Sequence, residues 1–330
     1  MGHAKPKAVK LQGKRVLVSG GAGAIGSNLV ERLAMDFGCK VTVVDDFSQG
    51  RMSNLQGIPI RLIKGDVNRP ATLQKAFKGG IDVVYHLAAS FANELSVENP
   101  IHDLECNIKG TLNLLLKSSK SKVKLFVYAS SSSLYGPRNV AEFSENLYPN
   151  PSTPYAVSKL TGEFYCNAMG QLYGLQHISL RFSNTYGPRD FPGRYRNVIP
   201  NFFRKALRGE ALPITGTGNE TRDYTYIDDC IDGIILASEN PRAYDQVFNL
   251  GTGKDTRTAV IAREILRLTR SRGGVKHMKL RYFDHIKKRR MNVEKARRAF
   301  NYRPSTPVKE GLRRTYGWLK KESDWSTTAF

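Results

Sequence analysis

The sequence predicts an α/β fold in which helices cover both faces of a parallel, doubly wound sheet. Short apolar runs alternate with helical segments as far as about residue 185, which is typical of repeated strand–helix–strand units. A glycine-rich turn follows the first apolar run, where sheets of this kind place their ligands. The chain has 330 residues, 40% of them hydrophobic, so it can bury the cores of two coupled domains.

The strands and helices are predicted in order along the first half of the chain. The predicted strands are RVLVS (15–19), KVTVVDDF (40–47), IRLIKGDV (60–67), IDVVYHLAA (81–89), KLFVYASSS (124–132) and QHISLRFSN (176–184). The predicted helices are NLVERLAMDFG (28–38), PATLQKAFKGG (70–80), NIKGTLNLLLKSSK (107–120) and the segment 154–173. Later the alternation weakens and Pro, Gly and Arg become frequent. We therefore expect one domain over residues 1–183 and a smaller α/β domain over 184–330, with some elements crossing between them.

Composition limits the classes of protein that fit. No apolar run approaches the roughly 20 residues that a membrane helix needs, and the first residues lack the apolar stretch of a signal peptide. No pair of cysteines has the spacing of a metal site or suggests a disulfide framework, so we expect no metal and a reducing cytoplasm. The four cysteines are Cys39, Cys106, Cys166 and Cys230.

The chain is strongly basic, with a formal net charge of +22. The excess is concentrated between Arg270 and Lys321, where 18 Lys or Arg stand against 3 acidic residues. One interpretation is nucleic-acid binding. Because the same segment has helical periodicity and no aromatics interleaved as a stacking platform, we favour a solvated basic face that attracts phosphorylated small molecules. We expect neither nucleic acid nor a membrane as a partner.

The turn GGAGAIGS has the spacing of a phosphate-binding loop. Gly21, Gly23 and Gly26 satisfy G-x-G-x-x-G, and Gly20 with the last two satisfies G-x-x-G-x-x-G. Either pattern places backbone N–H groups and the positive end of a helix against a pyrophosphate. Asp45 ends the second strand 19 residues after Gly26, where a carboxylate accepts bonds from ribose hydroxyls and repels a 2′-phosphate. The sequence therefore predicts an NAD site rather than an NADP site.

The stretch PYAVSK places a phenol and an ammonium on one helical face, at Tyr155 and Lys159. An ordinary amphipathic helix with a surface lysine is one interpretation. The other is a proton-transfer pair, because a nearby cation favours the phenolate of a tyrosine whose ordinary pKa is about 10. The pair alone does not separate the two interpretations.

Taken together, the motifs resemble the extended short-chain dehydrogenase/reductase family, especially its nucleotide-sugar epimerases and dehydratases. The resemblance covers most of the chain and rests on GGAGAIGS, VVDDFSQG, GDV, HLAA, NIKGT, YASSSSLYG, PYAVSK, LRFSNTYGP, IPNFFRKALRGE, TRDYTYIDD and FNLGTG. It implies a Rossmann domain that binds NAD over residues 1–183 and a nucleotide-sugar domain over 184–330. It also implies a homodimer that packs the helix after Pro100 and the helix of Tyr155 against their copies.

The resemblance assigns catalytic roles residue by residue. Tyr155 is the expected acid/base, Lys159 binds the nicotinamide ribose, and Ser131 positions the sugar hydroxyl and relays its proton. Ser131 is identified by its place five residues before Gly136. Lys159 and the cationic nicotinamide are together expected to lower the pKa of the phenol.

The resemblance also implies the binding residues. For the cofactor they are Gly20, Gly23, Ala24, Ile25, Gly26, Asp45, Asp46, Ser48, Gly50, Asp66, Val67, Leu87, Ala88, Ala89, Asn107, Ser130, Tyr155 and Lys159. For the substrate they are Ser131, Ser132, Tyr155, Asn184, Val198, Arg222 and Arg289. Two alternatives stay open: Asp66 can instead form a turn, and the late arginine that meets the diphosphate is Arg289 or Arg290.

The expected reaction follows from Ser132 and Ser133. Dehydratases that the chain resembles carry Asp-Glu at these positions, and UDP-glucuronate decarboxylases carry a Glu at the second. Serines there favour a UDP-sugar 4-epimerase of the UDP-glucose/UDP-galactose type, which oxidises C4, turns the keto-sugar and returns the hydride. UDP-glucuronate 4-epimerization and a net nucleotide-sugar reduction are the alternatives. A non-enzymatic sensor or nucleic-acid binder is suggested by the net charge alone.

Overall fold

The structure, a computed structural model, describes residues 8–138, 140–280 and 286–322. Its strands are β1 (Arg15–Ser19), β2 (Lys40–Asp45), β3 (Ile60–Lys64), β4 (Val83–His86), β5 (Leu125–Ser131), β6 (His177–Phe182), β7 (Asn184–Tyr186), β8 (Leu212–Thr215), β9 (Thr221–Arg222), β10 (Tyr224–Tyr226), β11 (Gln246–Leu250), β12 (Thr256–Arg257) and β13 (Val275–Met278). Its α-helices are α1 (Ala24–Met35), α2 (Pro70–Ala76), α3 (Asn93–Glu98), α4 (Pro100–Asp103), α5 (Gly110–Lys120), α6 (Pro154–Tyr173), α7 (Val198–Leu207), α8 (Ile227–Glu239), α9 (Thr258–Thr269), α10 (Glu294–Phe300) and α11 (Val308–Leu319). A π-helical segment, Leu104–Lys109, joins α4 to α5, and short 3₁₀ helices lie at Met52–Leu55, Ser132–Tyr135 and Pro241–Ala243.

A seven-stranded parallel sheet forms the centre of the molecule, in the order β11-β6-β5-β4-β1-β2-β3. The residues of β4, β5 and β6 are all buried, as expected for strands covered on both faces. The order reverses between β1 and β4, and ligands of such sheets bind beyond the carboxyl ends of the strands at this point. The predicted fold class is confirmed.

The predicted elements differ from the observed ones mainly at their ends. The second strand stops at Asp45 because Asp46 accepts bonds from the backbone N–H and hydroxyl of Ser48, which form a turn. The first helix begins at Ala24, directly after the glycine turn, rather than at Asn28. β11 comes from the second half of the chain and still pairs with β6, so this strand crosses the predicted boundary at residue 183.

Three two-stranded sheets lie outside the large one, and they pair β7 with β10, β9 with β12 and β8 with β13. They belong to the second half of the chain and bring Asn184 and Arg222 towards the carboxyl ends of the large sheet. None of the helices in the described ranges combines the length and the apolar character that a membrane span requires.

Candidate active site

A cleft of about 880 Å³ opens at the carboxyl ends of the large sheet, between the two halves of the chain. Asn107 is the one predicted site residue that does not line it. The predicted residues that do line it are Gly20, Gly23, Ala24, Ile25, Gly26, Asp45, Asp46, Ser48, Gly50, Asp66, Val67, Leu87, Ala88, Ala89, Ser130, Ser131, Ser132, Tyr155, Lys159, Asn184, Val198, Arg222 and Arg289. The folded chain therefore brings residues that are as far apart as 20 and 289 to a single cavity.

The glycine turn fits a pyrophosphate for two reasons. Gly20 has a positive φ of 72°, and a Cβ on it would lie 2.5 Å from the backbone nitrogen of Ala88, so only glycine allows this approach. Helix α1 then begins with Gly23 as its N-cap, and no described side chain caps it. The N–H groups of its first turn consequently face the cleft and are available to an anion.

Asp45 is buried beside this turn and holds it in place. Its carboxylate accepts hydrogen bonds from the backbone nitrogens of Ala22 at 2.8 Å and Phe47 at 2.9 Å. Each carboxylate oxygen keeps further acceptor capacity for a ribose hydroxyl. Burial raises the pKa of Asp45 and the two backbone bonds lower it. Asp66 lines the cleft and also accepts a bond from the backbone of Asn68, so the turn-forming role is present.

Asn107 supports the cleft from behind. It is 1% exposed, accepts a bond from the backbone nitrogen of Ser90 and donates to the carbonyl of Ser90, both at 2.9 Å. Its amide also donates to Asp103 at 2.7 Å and to Ser158 at 3.2 Å. The π-helical segment thus aims Asn107 at the loop after β4, and its predicted contact with the cofactor stays a prediction.

Ser131 and Tyr155 meet at the centre of the cleft. Ser131 is the last residue of β5, and its Oγ accepts a bond from the backbone nitrogen of Ser133 at 3.1 Å. Tyr155 lies in the first turn of α6, after Thr153, whose hydroxyl caps the helix through the nitrogen of Ala156. Both side chains line the cleft, and the hydroxyl of Ser131 lowers the pKa of the Tyr155 phenol. The site thus contains the paired hydroxyls that a proton relay needs.

Lys159 lies one turn further along α6 and is 3% exposed. Its Nζ donates to the carbonyl of Ala129 at 2.9 Å and lies 5.8 Å from the centre of the Tyr155 ring. An ammonium has three donors, so donors remain for a ribose hydroxyl at this position. The position and the donor set suit the role that the resemblance implies.

The side chains around Tyr155 raise the pKa of its phenol. Burial raises the pKa of Tyr155 to about 12, the hydrogen bond with Ser131 lowers it, and Asp103 raises it further. Burial lowers the pKa of Lys159 to about 8, although the charge of Asp103 raises it. The groups of the protein alone therefore make Tyr155 a weaker acid, because desolvation outweighs the bond with Ser131. The lowering that we expect from Lys159 and a cationic nicotinamide together stays a prediction.

The substrate side of the cleft comes from the second half of the chain. Arg222 on β9 donates to the carbonyl oxygens of Thr221 at 3.0 Å and Ile286 at 2.9 Å, which fixes its guanidinium at the cleft wall. Arg289 is 6% exposed and lines the cleft, whereas Arg290 forms an ion pair with Glu142 at 3.3 Å and does not. Of the two arginines left open by the sequence, Arg289 is thus the one that lines the cleft, and its contact with a diphosphate stays a prediction.

Sequence reasoning missed the segment 188–197, which crosses the mouth of the cleft. Arg196 donates to the carbonyl of Gln49 and lies over the ring of Phe91 at 4.6 Å. Arg194 pairs with Glu98 at 2.9 Å. The sequence contained a signal for this segment, because three of its ten residues are arginines and two are aromatic. No cluster of His, Cys, Asp and Glu within the described ranges could hold a metal ion.

Asp190 in this segment is 6% exposed, and its Oδ2 has no described hydrogen-bond partner. Burial raises its pKa to about 6, although Arg196 and Asn197 lower it. An unfolded aspartate titrates near 3.9, so the folded chain retains this proton between about pH 4 and 6. The stability that Asp190 contributes therefore falls as the pH rises through that range.

Replacing Asp190 by Asn should increase the free energy of unfolding at pH 8 by at most roughly 3 kcal/mol, because the buried charge is removed. The same substitution should change little near pH 4, where Asp190 is already protonated in the folded chain. Urea unfolding of both proteins at the two pH values measures this difference. An equal change in the free energy of unfolding at both pH values would contradict the raised pKa of Asp190.

Known proteins are similar to this chain over most of its length. Residues 16–251 match the NAD-dependent epimerase/dehydratase family. A UDP-glucose 4-epimerase of Mycolicibacterium smegmatis is 34% identical over 316 residues, covering 94% of this chain and 99% of the relative. A UDP-N-acetyl-alpha-D-glucosaminuronate decarboxylase of Bacillus cytotoxicus is 33% identical over 326 residues, covering 93% and 98%.

Solved structures that are similar to this chain include epimerases. An epimerase from the methanogen Methanothermobacter thermautotrophicus has a TM-score of 0.93 and 39% identity, with 96% of this chain and 94% of that chain covered. A UDP-glucose 4-epimerase of Thermotoga maritima, solved with UDP-glucose, has a TM-score of 0.89 and 32% identity, with 93% and 99% covered. The chain therefore belongs to the NAD-dependent epimerase/dehydratase family of extended short-chain dehydrogenases/reductases, and it is an enzyme whose cofactor is NAD.

Proposed function

We propose that the protein is a UDP-sugar 4-epimerase of the UDP-glucose/UDP-galactose type. The observation that carries the proposal is the wall of hydroxyls beside Tyr155, formed by Ser131, Ser132 and Ser133 at the cleft. Dehydration and decarboxylation in this family are expected to use a carboxylate on this wall, and here none is present. Relatives of similar identity include both epimerases and decarboxylases, so the wall is the feature that favours epimerization.

The protein groups would move one proton in this reaction. The phenolate oxygen of Tyr155 accepts the proton of the sugar C4 hydroxyl, through the hydroxyl of Ser131, and later returns it. NAD, when bound, would supply the hydride chemistry at C4. Lys159 is buried beside the tyrosine and would orient the nicotinamide ribose with its remaining donors.

The diphosphate would be the part of the substrate that stays fixed while the keto-sugar turns. Arg222 and Arg289 line the same cleft as Tyr155 and supply the cations for it. No bond from these arginines to the hexose is needed, so the sugar can present either face to the same nicotinamide.

Incubation of the protein with a panel of UDP-hexoses, followed by the anomeric proton signals in NMR, tests the proposal. Interconversion of UDP-glucose and UDP-galactose without net change of NADH is the expected result. Steady consumption of NADH with a keto-sugar would instead indicate a reductase, and release of CO₂ from UDP-glucuronate would indicate a decarboxylase. Absence of any epimer across the panel would refute 4-epimerization.

UDP-glucuronate 4-epimerization is the second candidate. The hydroxyls of Ser132 and Ser133 can donate to a hexuronic carboxylate, and a relative of similar identity acts on a sugar acid. UDP-glucuronate in the same panel separates the two candidates, because only this one predicts UDP-galacturonate as the product.

A homodimer in the cytoplasm is part of the proposal. Large apolar side chains are exposed along two packed helical segments, at Ile101, Leu104, Val157, Phe164 and Leu172. Such a stripe is typical of a surface that another protein covers, and α6 and the segment around α4 are those expected to form a four-helix interface. All four cysteines are free, which suits a reducing compartment.

Substitution of Phe164, which is 64% exposed on α6, by Glu should convert the dimer into monomers, because the substitution places a charge in the apolar interface. Sedimentation velocity measures the change in mass. Met35→Glu is a matched control, since Met35 is 61% exposed on α1 and lies outside the stripe. A Phe164→Glu variant that sediments like the unmodified protein would rule out this interface.

A further inference from the structure

A buried ion pair lies beside β5, the strand that ends at Ser131. Glu163 on α6 accepts bonds from Arg181 on β6 at both oxygens, with Oε1 to Nε at 2.9 Å and Oε2 to Nη2 at 2.7 Å. The two side chains are 5% and 6% exposed. The partnership with Glu163 raises the pKa of Arg181 despite its burial. Apolar residues often replace a pair of this kind without loss of stability, so stability alone is a weak reason for its presence.

The pair holds the end of β5 from the side of α6. Oε1 of Glu163 also accepts a bond from the hydroxyl of Ser130, the residue before Ser131. One helical turn earlier, Lys159 bonds the carbonyl of Ala129. Two successive residues of β5 are thus held by two side chains of α6, and Ser131 follows at once.

The same pair reaches towards the substrate side of the cleft. Nη1 of Arg181 donates to the hydroxyl of Tyr135 at 2.8 Å, and that hydroxyl donates to Oδ1 of Asn249 on β11 at 2.7 Å. The amide of Asn249 donates to the carbonyls of Phe143 at 2.9 Å and Asn292 at 3.1 Å.

Phe143 completes the connection to the residue that can meet the diphosphate. Its nitrogen donates to the carbonyl of Arg290 at 2.8 Å, and its carbonyl accepts from the nitrogen of Asn292 at 2.8 Å. The segment 289–292 is therefore attached to the network immediately beyond Arg289. Tyr135, Phe143 and Asn249 are each fully buried, so water does not compete for these bonds.

We propose that Glu163 and Arg181 are positioning residues that keep Ser131 and the segment 289–292 in register with each other. The inference rests on the proposed epimerase function, because a sugar held by its diphosphate must present C4 to Ser131 and Tyr155 in both orientations. A displacement of about 1 Å between the two sides would reduce turnover by about 100-fold. Binding would change less, since Arg222 and Arg289 would still supply the cations that hold the diphosphate.

The double variant Glu163→Leu/Arg181→Met tests this role without leaving an unpaired buried charge. It is expected to unfold at a temperature near that of the unmodified protein, while kcat falls by about 10- to 100-fold and KM for the UDP-sugar stays within about threefold. Asp82→Asn is the control. Asp82 forms ion pairs with Arg15 and Lys124, and none of these three residues lines the cleft. Loss of the Asp82 charge should therefore leave kcat unchanged. A folded double variant with kcat within about twofold of the unmodified protein would overturn the proposal.

Tyr135→Phe serves as a second variant if the double variant does not fold. It keeps the buried ring, which packs against Phe143 at 5.3 Å, and removes only the bonds to Arg181 and Asn249. A lower kcat in this folded variant is expected, and an unchanged kcat and KM would overturn the link to segment 289–292.

Backbone hydrogen exchange separates this proposal from the proposed function. Faster exchange is expected both at residues 131–133 and at 289–292 in the double variant, but not in Asp82→Asn, whatever sugar the enzyme accepts. An unmodified protein that epimerizes no UDP-sugar would refute the proposed function alone. Exchange that is unchanged at both segments would refute the positioning role alone.

Discussion

Replacement of Tyr155 by Phe is expected to lower kcat by about 1,000-fold, because general acid–base catalysis of this kind contributes roughly 100- to 10,000-fold. The Tyr155 ring is half-buried in the cleft, Ser131 lowers the pKa of its phenol, and Nζ of Lys159 lies 5.8 Å from the ring centre. Removal of one oxygen leaves the ring and its packing intact. Initial rates with the substrate identified by NMR measure the loss.

NAD binding supplies the first control for this prediction. Because we expect the glycine turn and Asp45 to hold the cofactor, Tyr155→Phe should bind NAD nearly as tightly as the unmodified protein, which isothermal titration would show. Tyr173→Phe is a matched variant, since Tyr173 is 59% exposed at the far end of the same helix and should leave kcat unaltered. Comparable turnover by Tyr155→Phe and Tyr173→Phe would remove Tyr155 from the mechanism.

Replacement of Gly26 by Ala should weaken NAD binding by about 5- to 150-fold. A Cβ on Gly26 would lie 2.1 Å from the carbonyl oxygen of Gly20 and 2.8 Å from the Cα of Gly21. Both are backbone atoms, so the turn itself must shift, at a cost of about 1–3 kcal/mol. A displaced turn no longer presents the first N–H groups of α1 to the pyrophosphate. Titration with NAD measures the affinity, and thermal unfolding shows whether the fold is also weakened.

Gly23→Ala is the matched variant for this prediction. Gly23 has an ordinary φ of −73°, and its Cβ would meet the carbonyl of Gly20 at 3.4 Å, which is a normal contact. Thermal unfolding of Gly23→Ala should therefore match that of the unmodified protein, and any loss of NAD affinity would arise from contact with the cofactor. If Gly26→Ala bound NAD normally, the close packing of the turn would have no role in cofactor binding.

The sheet was predictable because its strands are short apolar runs between turns. RVLVS and residues 154–173 coincide with β1 and α6, since the glycine turn and the Thr-Pro start mark their limits. The π-helical segment at Leu104–Lys109 was not predictable, because no local pattern distinguishes it from an α-helix. Its effect is visible only when Asn107 is seen to hold the backbone of Ser90.

The site was predictable only where its residues lie close together in the chain. Tyr155, Lys159 and the glycines occur at local spacings that carry their chemistry, whereas the choice between Arg289 and Arg290 depends on which side chain turns inward. The bond of Asn107 to Ser90 and the bond of Arg196 to the carbonyl of Gln49 also join residues that are distant in the chain. Local spacing contains no information about such contacts.

By itself, the sequence determined the parallel sheet, and it predicted the NAD-binding turn and the proton-transfer residues, because each depends on residues within one or two turns of chain. Only the tertiary structure decided how the groups affect each other. Burial raises the pKa of Tyr155, and the ion pair of Glu163 with Arg181 connects β5 to the segment after Arg289. Both results arise from desolvation and from bonds between distant elements, and these exist only after the chain has packed.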